Sequence, residues 1–552
     1  MTQGTDRPAA VRGERRAWDR AALLVLLVLS TALFVRSESV RYGDGPIYTL
    51  DILHGSLIEP GHLVWRPLGS LSSHLLGMMQ SSSQTLWVLQ FLCLATSVLA
   101  VLAIYLLLRA LFRPTPAFLA ALLFLLSNGF WVYSFTGSSY GLSVLLCALS
   151  LRLAIKPPEA LRRLPQALLV GVACGLATAT WAIQVIVAPS LWLVLLLGPA
   201  DNRRSLRSAG TMTAALAAGF LLAFVVPLLI GYTLSTTNAP ECGDVVGAMR
   251  PSFGVWLSCT QHHIPAHFGL ASVLRMLMGW PQSIVSIGDL NYQLRLWLFH
   301  ENAFPMTPWL AVLAVWYAAL AAALLVLARH FRSLDRPRQG VLLAALLALV
   351  VNLLFAIAWQ GTDLERYLPS LPFQLLIFAQ VIELQRAHWG SATVLAAGML
   401  VLLIVGLVNW TGTFAPVLAR DSYRQAWVDA LHQATGPNDL VVLFGPRARV
   451  IALPHDPTLP KIDNVSNEIV QRAESWRARE LHDIDVTVAR GGRVFLSDSL
   501  FASGYAPRDG WSFKEYPNPT PREIAAVFQP LRSDRIAFVV HGERVWAAVA
   551  RR

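Results

Sequence analysis

Apolar and polar positions alternate along this chain in long blocks. Eleven apolar runs fill most of the first 409 residues, at about 21–36, 84–108, 116–133, 139–155, 166–182, 184–199, 211–232, 308–328, 340–358, 368–383 and 391–409. Each is close to the ~20 residues a helix needs to cross about 30 Å of hydrocarbon with its backbone bonds satisfied internally. The pattern predicts eleven membrane-spanning helices. Between 166 and 199, Trp181, Gln184 and Pro189 interrupt the apolar run, and both two plain spans and a broken or re-entrant hairpin fit. The first run lacks a small-residue cleavage pattern and many similar runs follow it, so it reads as a span and not as a cleavable signal peptide.

Beyond residue 409 the periodicity becomes that of a soluble domain. It predicts a helix at 421–434, a strand at 440–444, another near 449–453, a helix at about 467–489 and a strand at 493–497. P-R-E-I-A-A-V-F opens a further helix with proline near its start. I-A-F-V-V and R-V-W-A-A-V read as closing strands that pair through H-G-E. The expected fold class is a polytopic all-α transmembrane domain of about 11 helices (21–409) with a small C-terminal α/β domain (410–552), preceded by a basic leader (1–20).

Charge orients this layout. The chain is 55% hydrophobic and 14% charged with mean hydropathy +0.52, too apolar for an ordinary soluble protein. Its formal charge of +11 sits largely in short Arg-rich turns between spans, where it sets topology. Every even-numbered span ends beside such a turn, the Arg386 turn being the weakest. The leader is therefore expected in the cytoplasm, and the loops at about 37–83 and 233–306, with the C-terminal domain, on the exported side. No nucleic-acid module or interleaving of basic and aromatic residues appears. Neither G-x-G-x-x-G nor a phosphate-binding Gly-Lys-Ser occurs in the C-terminal domain, so no nucleotide is assigned to it. The two-halves symmetry of many transporters is missing as well. Cys93, Cys147 and Cys174 lie in spans as small packing residues, whereas Cys242 and Cys259 share one polar loop and could be bridged there.

Chemistry concentrates between Arg41 and Pro67, where Asp44, Asp51, His54, Glu59, His62 and Arg66 stand beside a membrane among glycines and prolines. Asp44, in G-D-G-P, is placed either to take a proton from an acceptor hydroxyl or to cap the segment that follows. Asp51, His54, Glu59 and His62 could bind sugar hydroxyls, orient Asp44, hold a divalent cation or form a solvated face. A metal would draw on Asp44, Asp51, His262 and His263, the last two, with His267, lying in the second long loop. Arg66 and Arg366 are candidate phosphate ligands, since a guanidinium offers fixed donors; snorkelling to headgroups is the alternative. T-D-L-E-R-Y-L-P gathers Asp363, Glu365, Arg366 and Tyr367 at the start of a late span. Gln184 could line a lipid-carrier groove or bond between helices. Trp131 and Tyr140 read as interface anchors.

With Asp44 in the first exported loop, then D-I-L-H-G-S-L-I-E-P-G-H-L-V-W-R-P, a long loop after span 7 and E-R-Y-L-P-S-L-P in a late span, the chain resembles the GT-C glycosyltransferases that use polyprenyl-phosphate sugars. These include the protein O-mannosyltransferases and the bacterial aminoarabinose transferases. The resemblance covers the architecture of residues 21–409. It implies transfer of a sugar from a lipid-linked donor on the exported face of a bacterial inner membrane, usually with inversion. Asp44 would be the base, with Arg366 and Tyr367 near the donor phosphate. Partners would be that donor, a glycan, lipid or protein acceptor, and membrane lipids; no nucleic acid is expected. The second acidic pair of the protein mannosyltransferases is not evident, because S-F-T-G-S-S-Y stands in the second exported loop. A transporter or flippase, or a polymerase or ligase for lipid-linked saccharides, is the alternative.

Overall fold

The computed structural model describes residues 7–37, 44–53, 55, 57–79, 82–158, 161–197, 206–234, 269–286, 307–359, 361, 363–444, 459–465, 475–501, 521–540 and 542–548. His54, His262, His263, His267, Cys242, Cys259, the predicted strand near 449–453 and the first residues of the predicted 467–489 helix lie outside them.

Helices occupy all eleven predicted runs. The first is α1 (Arg7–Arg36), which takes most of the basic leader into the same helix. Two short helices, α2 (Gly45–Leu53) and α3 (Trp65–Leu75), lie in the loop before α4 (Ser82–Arg109). The third run divides at Ser127 into α5 (Pro114–Leu126) and α6 (Asn128–Tyr133). α7 (Tyr140–Ile155) and α8 (Arg163–Thr180) follow. Among the described residues, seven helices are long and apolar enough to cross a membrane, with shorter apolar ones at Pro114–Leu126, Tyr140–Ile155 and Ala182–Leu197. Large apolar side chains on several of them face outward, among them Leu24, Leu222, Val315 and Leu403. The chain is a multi-span membrane protein.

Helix boundaries follow local chemistry. Pro114 opens α5 at a position where the missing N–H costs nothing. Asp335 caps the Arg336–Ala358 helix by accepting from the Arg338 N–H at 2.9 Å. Gly390, at φ +85°, separates the Leu371–Trp389 and Ser391–Asn409 helices. α8 packs closely on the Leu206–Phe220 helix, where a Cβ at Gly171 would meet the Leu216 carbonyl oxygen at 2.1 Å. Small residues permit such an approach within a membrane, where dispersion and not hydrophobicity draws helices together.

The break at the sixth run is real and has a structural reason. α8 ends at Trp181, which is extended (φ −154°, ψ 108°), and a 3-10 turn Ala182–Val187 leads into the Ala188–Leu197 helix. A freed backbone group at depth needs a partner. The loop before α3 supplies it: the Ala182 N–H donates to the Gly61 carbonyl at 2.9 Å, and the Val64 N–H donates to the Ala179 carbonyl at 3.2 Å. Gln184 is fully buried there, with Ser143 Oγ 3.5 Å from its Oε1, so it sits between helices and not along an open groove.

The Ser391–Asn409 helix does not end at the expected domain boundary. A π-turn at Trp410–Phe414 carries it into the Ala415–Ala434 helix. Asn409 is buried beside the turn; its amide donates to the Leu126 and Ile284 carbonyls and its oxygen accepts from the Ser286 N–H. The sheet beyond has β1 (Leu440–Leu443), β2 (Lys461–Asn464), β3 (Val494–Ser497), β4 (Arg532–Val540) and β5 (Glu543–Ala548) in the order β2-β1-β3-β5-β4. β2, β1 and β3 are parallel, and the β4–β5 hairpin is antiparallel. Side chains alternate across the sheet. Leu440, Val442 and Leu496 pack with Ile484 and Phe528, while Val441, Leu443 and Phe495 pack with Trp427 and Leu431. Covered on both faces, β1 reads as the unbroken apolar run expected of a central parallel strand.

Candidate active site

Asp44 stands immediately before α2. Its N–H donates to Ser138 Oγ at 3.2 Å, and its carboxylate Oδ2 accepts from the Tyr48 and Tyr140 hydroxyls, each at 3.1 Å. The carboxylate is thus held by side chains of α2 and α7. Tyr48 lies one turn along α2, and its phenol is pushed well up by burial and by the Asp44 carboxylate, so it stays a donor. The α2 start lies directly against the turn before α7. A Cβ at Gly45 would stand 2.1 Å from the Thr136 carbonyl oxygen, and Gly137 across from it has φ +82°. Gly45→Ala is expected to push the two apart and destabilise the protein by about 1–3 kcal/mol, read as a lower thermal midpoint with reduced activity.

The late span brings its charges to the same place. Glu365 accepts from the same Tyr140 hydroxyl as Asp44 and pairs with Arg366 Nη1. Arg366 Nη2 also reaches Asp363 at 3.2 Å, and the guanidinium lies 4.6 Å over the Trp359 ring. Tyr133, on α6, approaches Asp363 at 3.5 Å. Asn352 fixes this segment by donating to the Arg366 carbonyl at 2.6 Å and accepting from the Ser370 N–H at 3.1 Å. Arg366 is buried, and among the described residues its Nε has no partner.

A second cluster supports the first. Arg66 Nη2 lies 2.7 Å from Asp51 and 2.6 Å from Glu59, with its guanidinium 5.4 Å from the Tyr48 ring centroid. Burial raises the Glu59 carboxyl and the Arg66 charge opposes that rise. Arg66 is 4% exposed, so it is a buried counter-ion and does not reach out to headgroups. His62 packs on Tyr48, ring centroids 5.1 Å apart, and its Nδ1 lies 3.1 Å from the Thr180 carbonyl and 2.9 Å from Ser139 Oγ. A carbonyl only accepts, so Nδ1 carries the proton of the neutral ring.

Burial pushes the His62 pKa down to about 4, against the opposing pull of Asp44; Arg66 and Arg366 push it the same way as burial. An unfolded histidine titrates near ~6.5. As pH falls through that value the unfolded chain takes the proton first, so stability is lost from about pH 6.5 down to about 4. The thermal midpoint of the purified chain is expected to fall across that window, by at most about 3.5 kcal/mol of stability. His62→Gln should flatten the slope.

Of the residues singled out in sequence, Asp44, Glu365 and Arg366 come together through Tyr140, and Asp51, Glu59 and Arg66 form the adjoining cluster. Tyr367 turns away: its hydroxyl donates to the Met276 carbonyl at 3.2 Å and to that of Gly361, tying the Leu270–Ile284 helix to the Arg366 segment. That helix, within the second long loop, has no counterpart among the sequence-predicted elements. Among the described residues, no three His, Cys, Asp or Glu side chains gather where they could hold a metal ion. The two aromatic anchors require correction. Trp131 is buried, stacked on Phe414 with centroids 4.1 Å apart and donating to Ser37 Oγ at 2.9 Å, and Tyr140 is buried between two carboxylates. Both sit where an apolar helix end meets polar partners, which in sequence looks the same as a membrane interface.

Residues 75–230 match the family model of dolichyl-phosphate-mannose-protein mannosyltransferases. Among solved structures, ArnT from Cupriavidus metallidurans bound to undecaprenyl phosphate is similar over 97% of this chain and 98% of its own, with a TM-score of 0.53 at 11% identity. Its apo structure covers 98% of both chains with a TM-score of 0.50 at 12% identity. The oligosaccharyltransferase AglB from Archaeoglobus fulgidus, in complex with an inhibitory peptide and a dolichol-phosphate, covers 92% of this chain and 72% of its own, with a TM-score of 0.47 at 14% identity. No curated protein sequence matches. The chain has the GT-C fold.

Proposed function

We propose that this GT-C-fold membrane protein is a glycosyltransferase that moves a sugar from a polyprenyl-phosphate-linked donor to an acceptor hydroxyl, with inversion. The observation that carries the reading is the half-buried Asp44, its carboxylate held by two tyrosine hydroxyls next to the Glu365–Arg366 pair. A carboxylate so placed can take the acceptor's proton as its oxygen attacks the anomeric carbon. Arg366, whose Nε has no partner among the described residues, can stabilise the charge that develops on the departing phosphate. Arg66, paired with Asp51 and Glu59, would hold Tyr48 and hence Asp44 in place. The matched family model and the undecaprenyl phosphate bound by ArnT support a lipid-linked donor.

The basic turns support an N-terminus in the cytoplasm of a bacterium, with Asp44, Arg366 and the C-terminal domain on the outer side of the inner membrane. No nucleotide sugar is supplied there, and a polyprenyl carrier provides both the activated phosphate and the membrane anchor. The acceptor would be a glycan, lipid or protein.

The full chain reconstituted in liposomes with labelled polyprenyl-phosphate mannose tests this. Release of polyprenyl phosphate with the sugar passed to an acceptor or to water is expected. Movement of the intact donor across the bilayer without turnover would instead establish a flippase.

A further inference from the structure

We propose that the Tyr140 hydroxyl relays a proton between Asp44 and Glu365, so that the proton taken from the acceptor is delivered to the carboxyl that neutralises Arg366. The proposal rests on the transferase reading. It begins from a count of protons. Three oxygen–oxygen contacts join the cluster: Tyr48 to Asp44, Tyr140 to Asp44, and Tyr140 to Glu365. With both carboxylates ionised, the two phenols supply two protons for the three contacts. The cluster is one proton short, and it completes its hydrogen bonds by gaining one.

The surroundings favour keeping that proton inside. Tyr140 is 1% exposed, with the Tyr133 and Trp181 rings edge-on to it, each at 4.8 Å. The charged and titratable groups around it are Asp44, just before α2, Tyr48 from α2, Tyr133 from α6, and Asp363, Glu365 and Arg366 from the late segment, with His62, Glu59 and Arg66 behind Tyr48. Asp44 and Glu365 are both half-buried, and Glu365 is tied to Arg366. The relay therefore runs from the acceptor side to the side of the phosphate-binding candidate.

The step balances. The acceptor oxygen bonds to the anomeric carbon, the bond from that carbon to the phosphate oxygen breaks with its electron pair on phosphate, and the acceptor's proton passes to Asp44. Asp44 gives a proton to the Tyr140 oxygen as Tyr140 gives its own to Glu365. Protonated Glu365 no longer neutralises Arg366, whose charge turns to the new phosphate monoester. That monoester, with a second ionisation near about pH 6, takes the proton from Glu365 and resets the cluster.

Tyr140→Phe and Glu365→Gln test the relay in the reconstituted full chain, with release of polyprenyl phosphate from polyprenyl-phosphate mannose as the readout. Each is expected to lower kcat by about 10²-fold, and the double variant to lose no more than either single one, as groups in one chain of transfer do. The solvent deuterium effect should need more than one moving proton in the parent enzyme and only one in Tyr140→Phe. Losses that multiply, with an unchanged proton inventory, would reduce Tyr140 to a packing residue and overturn the relay. Asp44→Asn separates the two ideas: if it retains full turnover the base assignment fails, whereas its loss alongside multiplying relay variants sinks only the relay. Infrared spectra of the carboxyls stand without turnover. Tyr140→Phe should shift the carboxyl bands of both Asp44 and Glu365, which lose their shared hydroxyl, and unaltered bands would reject the relay.

Discussion

Asp44→Asn is expected to lower sugar transfer by about 10²–10⁴-fold, the range general-base catalysis supplies, while thermal stability and donor affinity stay near those of the parent. The substitution is nearly isosteric, and an amide oxygen can still accept from Tyr48 and Tyr140. The backbone bond to Ser138 and the approach of Gly45 to Thr136 do not involve the side chain's charge. What disappears is the ability to take a proton. A kcat loss without a KM change would mark an interaction made only in the transition state. Full transfer by the variant would remove Asp44 from the chemistry.

The helices were legible because a membrane leaves a chain few options. Even the interruption at Trp181–Gln184 showed as a lapse in hydrophobicity, although its cause, two backbone bonds from the Gly61–Val64 loop, did not. In the C-terminal domain β1, β3 and the β4–β5 hairpin followed from apolar runs and from the H-G-E turn, where Gly542 takes φ +79°. β2 escaped, since K-I-D-N carries too little apolar periodicity to stand out.

The candidate site was legible at its two ends only. Asp44 and Arg366 announced themselves as charges beside spans. Tyr140 did not, because an aromatic at a helix start has an ordinary membrane explanation. The signal that could have found it was positional: S-F-T-G-S-S-Y lies between spans 3 and 4, on the same predicted side as both Asp44 and the E-R-Y-L-P segment. That loop carries no carboxylate of its own, and holds instead the hydroxyl that joins two carboxylates from elsewhere. The pairing of Arg66 with Asp51 and Glu59 also lay beyond spacing, since α2, the loop and α3 contribute one residue each.

That same burial of arginines decides how donor binding must be tested. Arg366→Ala would leave the half-buried Glu365 and Asp363 without their cation, a loss of up to about 3–5 kcal/mol, so weakened binding could not be told from weakened folding. Arg366→Lys keeps the charge between the two carboxylates but gives up the planar fork and the stacking on Trp359. It also removes Nε, the guanidinium donor that no described residue uses. If Nε is directed at the donor phosphate, the variant loses one charge-assisted hydrogen bond, about 1.5–3 kcal/mol. That corresponds to about 10- to 100-fold weaker binding of polyprenyl-phosphate mannose, with a modest change in thermal midpoint. A donor titration in liposomes alongside a melting curve reads both quantities. Unchanged affinity would confine Arg366 to balancing Asp363 and Glu365, and the phosphate would have to find its cation elsewhere in the site.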